Sequence, residues 1–171
     1  MLEKGATIVY GSQICIITDI KDITFGKTAR RYYILSPVWD DKNVIYVPTD
    51  NDALLVKIKR ILSAEEIYAL VKNIPLKETI WIEDDKERKQ KYREIIDASD
   101  REEIIKVIKT LFERKKELEA VGRKLHASDV AILDKAEKVI YEEFALVLDI
   151  KKEDVVPFIV EQIEVQKKKP E

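Results

Sequence analysis

Residues 1 to about 60 alternate short apolar runs with polar punctuation, and from residue 63 the apolar positions fall at helical spacing. Thr7–Tyr10 is a four-residue β-prone run, the turn Gly11-Ser12-Gln13 follows, and residues 14–17 resume as four apolar positions. Residues 19–26 read as a polar bend. Residues 31–35, 44–47 and 54–56 supply further strand candidates, parted by Ser36-Pro37 and by Pro48-Thr49-Asp50-Asn51, residue types that end ladders or favour turns. Several short strands in so little chain predict a small, strongly bent sheet or barrel, because closure protects the edges that short strands expose.

Ser63 and Glu66 have the spacing of a capping box, in which the hydroxyl accepts from the third helical amide and the carboxylate reaches back to the cap amide. Ile67, Leu70 and Val71 follow on one face. Asp100 and Glu103 repeat the signature ahead of Ile104, Ile108, Leu111, Phe112 and Lys115, which share one side of a helix. Gly122 lies at or just beyond that helix's end, and Ser128 is placed to cap the next, whose Leu133, Ala136, Ile140, Phe144 and Val147 form a continuous buried stripe. A last helix is expected around 154–165, with Pro157 tolerated near its start. The pattern therefore predicts a β + α two-domain protein. A bent β-sheet or barrel over 1–62 is followed by a four- or five-helix domain over 63–165 and a disordered tail at 166–171.

Composition narrows the chemistry. The 31 basic residues against 33 acidic ones give a net charge of −2, which argues against coating nucleic acid through bulk charge but leaves room for a local binding face. Glycine occurs only at 5, 11, 26 and 122, so neither a GxGxxG nor a GxxxxGK phosphate cradle exists. A single cysteine, no leader-like apolar run and no apolar stretch near the roughly 18 residues of a membrane span lead us to expect a cytoplasmic protein without disulfides. Cys15, set among Ile14, Ile16 and Ile17, reads as an apolar core residue. His126 is the only histidine, so a metal site would need almost wholly carboxylate ligands. Glu83, Asp84 and Asp85 are adjacent in sequence rather than set as a pair across a cleft. The expectation is no enzyme, with no catalytic residue, metal, cofactor or small-molecule substrate.

Charge is not spread evenly along the helical part: residues 86–124 hold 13 basic and 9 acidic residues, whereas 125–166 hold 4 and 10. Lys86, Arg88, Lys89, Lys91 and Arg93 directly follow Trp81-Ile82-Glu83-Asp84-Asp85. An aromatic plate beside several cations is what a minor-groove wedge needs, a rigid apolar group at the base step and positive charge to hold the backbone. The same residues also fit a tryptophan that packs the start of a helix beside a solvated cationic face.

Taken in order, Lys4-Gly5, Ile8-Val9-Tyr10-Gly11, Asp19-Ile20, Gly26, Arg31-Tyr32-Tyr33-Ile34-Leu35 and Ile45-Tyr46-Val47-Pro48 with Asn51 form one block of features. Trp81, Lys91-Tyr92, Ser99-Asp100, Leu111-Phe112, Arg114, Leu125, Leu133, Ala136 and Glu142-Glu143 with Ala145 form a second. Together they resemble the CarD/CdnL family of bacterial RNA polymerase-binding transcription regulators. The resemblance implies a Tudor-like, SH3-like first domain that adds a sheet edge to the polymerase β subunit, assigning that contact to Arg31, Tyr32, Tyr33, Tyr46 and Pro48. It also implies a helical domain that contacts promoter DNA, with Trp81 as the minor-groove wedge and Lys86, Arg88, Lys89, Lys91, Arg93 and Arg114 as phosphate contacts. Such a nucleoid-associated protein would stabilise the open promoter complex without covalent chemistry. Tyr46 stands where many members carry arginine, the turn after Tyr10 is shorter than usual, and Tyr92 follows Trp81 by eleven positions. A protein-only adaptor, binding partners through the first domain's strand and the acidic half of the second, is the alternative.

Overall fold

The computed structural model describes residues 2–40 and 42–168, and the chain divides after Ile61 into two compact units. The first unit carries β1 (Thr7–Tyr10), β2 (Gln13–Phe25), β3 (Thr28–Pro37), β4 (Ile45–Pro48), a one-turn helix α1 (Asp52–Leu55) and β5 (Ile58–Arg60). All pairings are antiparallel, in the order β4-β3-β2-β1-β5, so β4 and β5 are the edges. Two tight hairpins set the register. Tyr10 pairs with Gln13 across Gly11-Ser12, and Phe25 pairs with Thr28 across Gly26-Lys27. In both, glycine takes the first central position at a φ of 59° or 65°, the backbone that a two-residue II′ turn demands there.

Two local expectations are corrected. Residues 19–25 are not a bend but the outer half of one long strand. β2 runs through with a register shift between Ile17 and Asp19, and its partner β3 satisfies the backbone that the polar residues seemed to leave unpaired. Residues 54–56 are not a strand. The Asn51 side chain accepts from the Leu54 amide and caps the turn of α1 instead, and the last strand forms at Ile58–Arg60. Ile8, Cys15, Ile17, Leu35 and Val47 make the small core, and burial pushes the Cys15 thiol up to about 11, so it stays protonated.

The second unit holds α2 (Ala64–Lys72), α3 (Asp85–Asp97), α4 (Arg101–Ala120), α5 (Ala127–Leu148) and α6 (Val155–Lys168), with short 3-10 turns at Ile74–Leu76 and Lys152–Asp154. The β sheet followed by helices is the two-part β + α architecture that the periodicity predicts. The capping box of Ser63 and Glu66 is formed in both directions. Asp100 also caps α4, but Glu103 turns to Lys106 rather than back to the cap amide. At the far end of α4 the Arg123 and Gly122 amides close onto the Leu118 and Glu119 carbonyls, a Schellman termination. Ser128 does not cap α5. The helix begins at Ala127 after His126, and no side chain caps it. α6 continues to Lys168, so residues 166–168 of the expected disordered tail are helical, and residues 169–171 lie outside the described residues.

The helical core gathers Ile67 and Val71 of α2, Tyr92 and Ile96 of α3, Ile104, Val107 and Leu111 of α4, Ala136, Ile140 and Phe144 of α5, and Val155 of α6. Among the described residues no helix is long and apolar enough to cross a membrane.

Candidate functional site

Trp81 lies on the irregular segment between the Ile74–Leu76 turn and α3, and side chains from two helices tie that segment down. Lys109 of α4 donates to the Pro75 and Lys77 carbonyls at 3.2 and 2.7 Å. Thr110 accepts from the Ile80 amide at 2.9 Å, and its own hydroxyl donates to the Lys106 carbonyl at 2.6 Å. The Tyr92 hydroxyl of α3 donates to the Ile80 carbonyl. Burial pushes that phenol up to about 12, so it remains a donor throughout the neutral range. A loop without regular structure is thereby fixed on both sides of the tryptophan.

Arg88 completes the fastening. Its side chain is 1% exposed, and it donates to both oxygens of Asp129 on α5 at 3.1 and 2.8 Å, to Asp85 at 2.7 Å and to the Ile82 and Glu83 carbonyls at 2.9 and 3.4 Å. Bonding to Asp129 first, and to Asp85, raises the guanidinium further above its ordinary range and holds the Asp85 carboxyl below its own. This corrects the sequence expectation for Arg88: a phosphate contact requires an accessible guanidinium, and this one is buried and occupied. The signal was present in the sequence, because Arg88, Tyr92, Ile95 and Ile96 share the inward face of α3, as Asp129, Ile132, Leu133 and Ala136 share that of α5.

The indole is half-buried against the helical core. Its N–H donates to Glu83 at 3.0 Å, and the guanidiniums of Arg88 and Arg114 stand over its ring, 4.4 and 4.9 Å from the centroid. Thr79, Trp81, Glu83, Thr110, Glu113, Arg114 and Glu117 line a depression of about 210 Å³. The three adjacent acids thus do three things: Glu83 holds the indole, Asp84 caps α3 through the Glu87 amide, and Asp85 pairs with Arg88. Of the remaining cations, Lys86, Lys89 and Arg93 line one depression along α3, whereas Lys91 lines another with Ile82, Glu87, Gln90 and Glu94. Among the described residues no group of three or more His, Cys, Asp or Glu side chains is arranged to hold a metal ion.

In the sheet unit, Phe25 of β2, Tyr32 of β3 and Tyr46 of β4 form an aromatic row across three strands, with edge-to-face contacts at 5.8 and 6.3 Å. Phe25 and Tyr46 are 61% and 50% exposed. Phe25 was missed by sequence reading, since only the extension of β2 to its hairpin turn brings it beside Tyr32. Arg31 is exposed and lies 3.7 Å from Asp22. Two expected contact residues are placed otherwise. Tyr33 packs on the core and Pro48 is buried, so neither presents its side chain freely at the surface. β3 is paired on both sides over residues 32–35, and β4 is the edge.

A search of curated proteins gave no match. Two family models match the chain: the CarD-like/TRCF RID domain over residues 2–62, and the CarD C-terminal domain over residues 71–160.

Proposed function

We propose that this chain, which belongs to the CarD/CdnL-like family, stabilises the open promoter complex by docking its sheet unit on RNA polymerase and placing Trp81 in the DNA minor groove. The chain is an RNA polymerase-interacting transcription factor of the CarD/TRCF type, and CarD-like/TRCF RID domains interact with the polymerase β subunit. Families of this kind are typically non-enzymatic regulators.

On this reading the polymerase strand adds to β4, whose edge is free of a partner strand among the described residues. Main-chain pairing supplies affinity, and Tyr46, Tyr32, Phe25 and Arg31 supply specificity. Pro48 ends the edge, because it has no N–H to contribute. The helical unit then contacts promoter DNA. Trp81 wedges at a distorted or opened base step, and Lys86, Lys89, Lys91, Arg93 and Arg114 are its phosphate partners. The observation that carries the reading is the fastening of the Trp81 segment. Four backbone groups at 80–83 are bonded to side chains of α3 and α4 around a half-buried indole beside exposed cations. A wedge must be rigid before it meets the stack, since ordering it on arrival would add to the cost of unstacking.

The test is Trp81→Ala, with open-complex lifetime and helical-unit stability measured on the same protein. The indole is half-buried, so truncation should cost roughly 1.5–2.5 kcal/mol, below the 3–5 of a fully buried aromatic. Open complexes should collapse faster at equal polymerase occupancy. An unchanged lifetime at verified occupancy refutes the wedge and leaves the protein-only adaptor.

A further inference from the structure

Two guanidiniums stand over the Trp81 ring, and they are held very differently. Arg88 is buried, and its three guanidinium nitrogens are all bonded, to two carboxylates and two carbonyls. Arg114 has a side chain 39% exposed, and it is held by a 3.3 Å contact from Nη1 to Glu117, one turn along the same helix and itself exposed. Its Nε is the one buried side-chain nitrogen or oxygen among the described residues without a hydrogen-bond partner. A donor buried without an acceptor raises the energy of the state that contains it, and a solvated i, i+3 ion pair holds a side chain only weakly.

From this asymmetry we propose that Arg114 is an exchangeable cover. In the free protein its guanidinium occupies a place over the indole. When a base stacks on the indole, the guanidinium gives up that place and moves to a neighbouring phosphate. Arg88 stays where it is and keeps the indole oriented. The inference rests on the wedge reading of Trp81 and says how that wedge is kept before DNA arrives.

The chemistry suits the exchange. A guanidinium and a nucleobase are both planar, and both stack on an aromatic ring, so either can cover the same surface and neither leaves the indole bare to water. The phosphate supplies acceptors that the Nε lacks in the free protein, and the pairing is bidentate and charge-assisted. Glu83, Glu113 and Glu117 line the same depression. Their charge favours the guanidinium there until a polyanion competes for it, and it disfavours a phosphate settling in the depression itself. The phosphate partner is therefore expected outside the depression, and Arg114 must swing out to meet it.

The experiment uses the full chain with Trp39→Phe, so that Trp81 is the only fluorophore of its kind. Two quantities are measured for the parent, Arg114→Ala and Arg114→Lys: acrylamide quenching of the free protein, and the salt dependence of binding to a duplex carrying a short unpaired bubble. Arg114→Ala should raise the quenching constant of the free protein, because the cover is gone. It should also lower the logarithmic salt slope by about 0.9, the value for one lost phosphate contact. Arg114→Lys should keep the slope while still raising quenching, because an ammonium bonds phosphate but does not stack as a plane. Unchanged quenching in Arg114→Ala overturns the cover. An unchanged slope in that variant overturns the transfer to phosphate, and leaves Arg114 as a fixed part of the indole's surroundings. Trp81→Ala on the same DNA separates the two levels of the argument. If it weakens bubble binding while Arg114→Ala leaves the slope alone, only the exchange fails. If it leaves bubble binding unchanged, the wedge reading and the exchange fall together.

Discussion

Asp129→Asn removes the counter-charge of a buried guanidinium while nearly preserving the shape of its surroundings. In the native protein both side chains are 1% exposed, and two charge-assisted bonds of 3.1 and 2.8 Å join them. The amide can accept only one of those bonds and turns an NH₂ group toward the other donor. Breaking a buried ion pair from one side costs about 3–5 kcal/mol. Arg88 keeps Asp85 at 2.7 Å, but that carboxylate is largely exposed and screened, so a loss of about 3 kcal/mol is expected. Out of the roughly 5–15 kcal/mol that holds a domain together, this is a large share. Urea unfolding of the full chain, followed by far-UV circular dichroism of the helices, reads it as a drop in the midpoint at constant slope. The double variant Arg88→Met/Asp129→Leu replaces the pair by apolar groups of similar bulk and should recover most of the loss, since such replacements are often neutral. It cannot recover the bonds from Arg88 to the Ile82 and Glu83 carbonyls, so amide exchange around 80–84 should stay fast in the double variant even where global stability returns. A loss below about 1 kcal/mol in Asp129→Asn, the range of a surface pair, would refute the reasoning. It would mean that water reaches the guanidinium.

Glu143 accepts from Arg101 at 2.9 and 2.8 Å and from the Leu62 amide at 2.9 Å, anchoring the first residue of the helical unit on α5. Glu143→Gln should therefore cost about 2–3 kcal/mol and speed hydrogen exchange of the Leu62 amide, observable by NMR; unchanged exchange there would contradict the anchor. Burial, and then the charge of Asp134, raise the Glu137 carboxyl above its ordinary value against the pull of Lys115. A raised carboxyl penalises the folded state once it ionises, so its contribution is most favourable at low pH and is lost as pH rises through the folded value. Glu137→Gln should then be more stable than the parent at neutral pH, with the difference vanishing below the ordinary value of 4.5. Paired thermal melts across that range would show the opposite trend if the carboxyl were instead stabilised in its charged form.

Much of the architecture follows from local rules that sequence carries directly. Ser63 and Glu66 specify a helix start within four residues, and the Ile67, Leu70 and Val71 face follows from their spacing alone. The hairpin glycines at 11 and 26 mark where the chain reverses, because the required φ excludes most other residues. Where local rules compete, the sequence misleads. The polar residues of 19–25 look like a bend because nothing nearby reveals that β3 will pair with them. Asn51 overrides the strand propensity of 54–56 with one side-chain bond. Ser128 looks like a cap, yet α5 begins before it and Asp129 of its first turn is drawn away to Arg88.

The site divides in the same way. Trp81 and the cations after it could be picked out by residue type, as could the tyrosines of β3 and β4, because aromatic and charged groups advertise their chemistry wherever they sit. Helical spacing alone also says that Arg88 and Asp129 face inward, each on the apolar stripe of its own helix. That they meet across 41 positions, and so neutralise each other, was decided only when α3 packed against α5. The same packing buried Arg88 away from any phosphate, while α4 holds Arg114 by one exposed partner and joins α3 in giving the Trp81 segment the side-chain bonds that regular structure did not provide. The physical reason is the range of each force. Propensity, capping and periodicity act over a few residues and are written along the chain. Desolvation of a charge, and the partner that makes it tolerable, depend on which distant surfaces are pressed together.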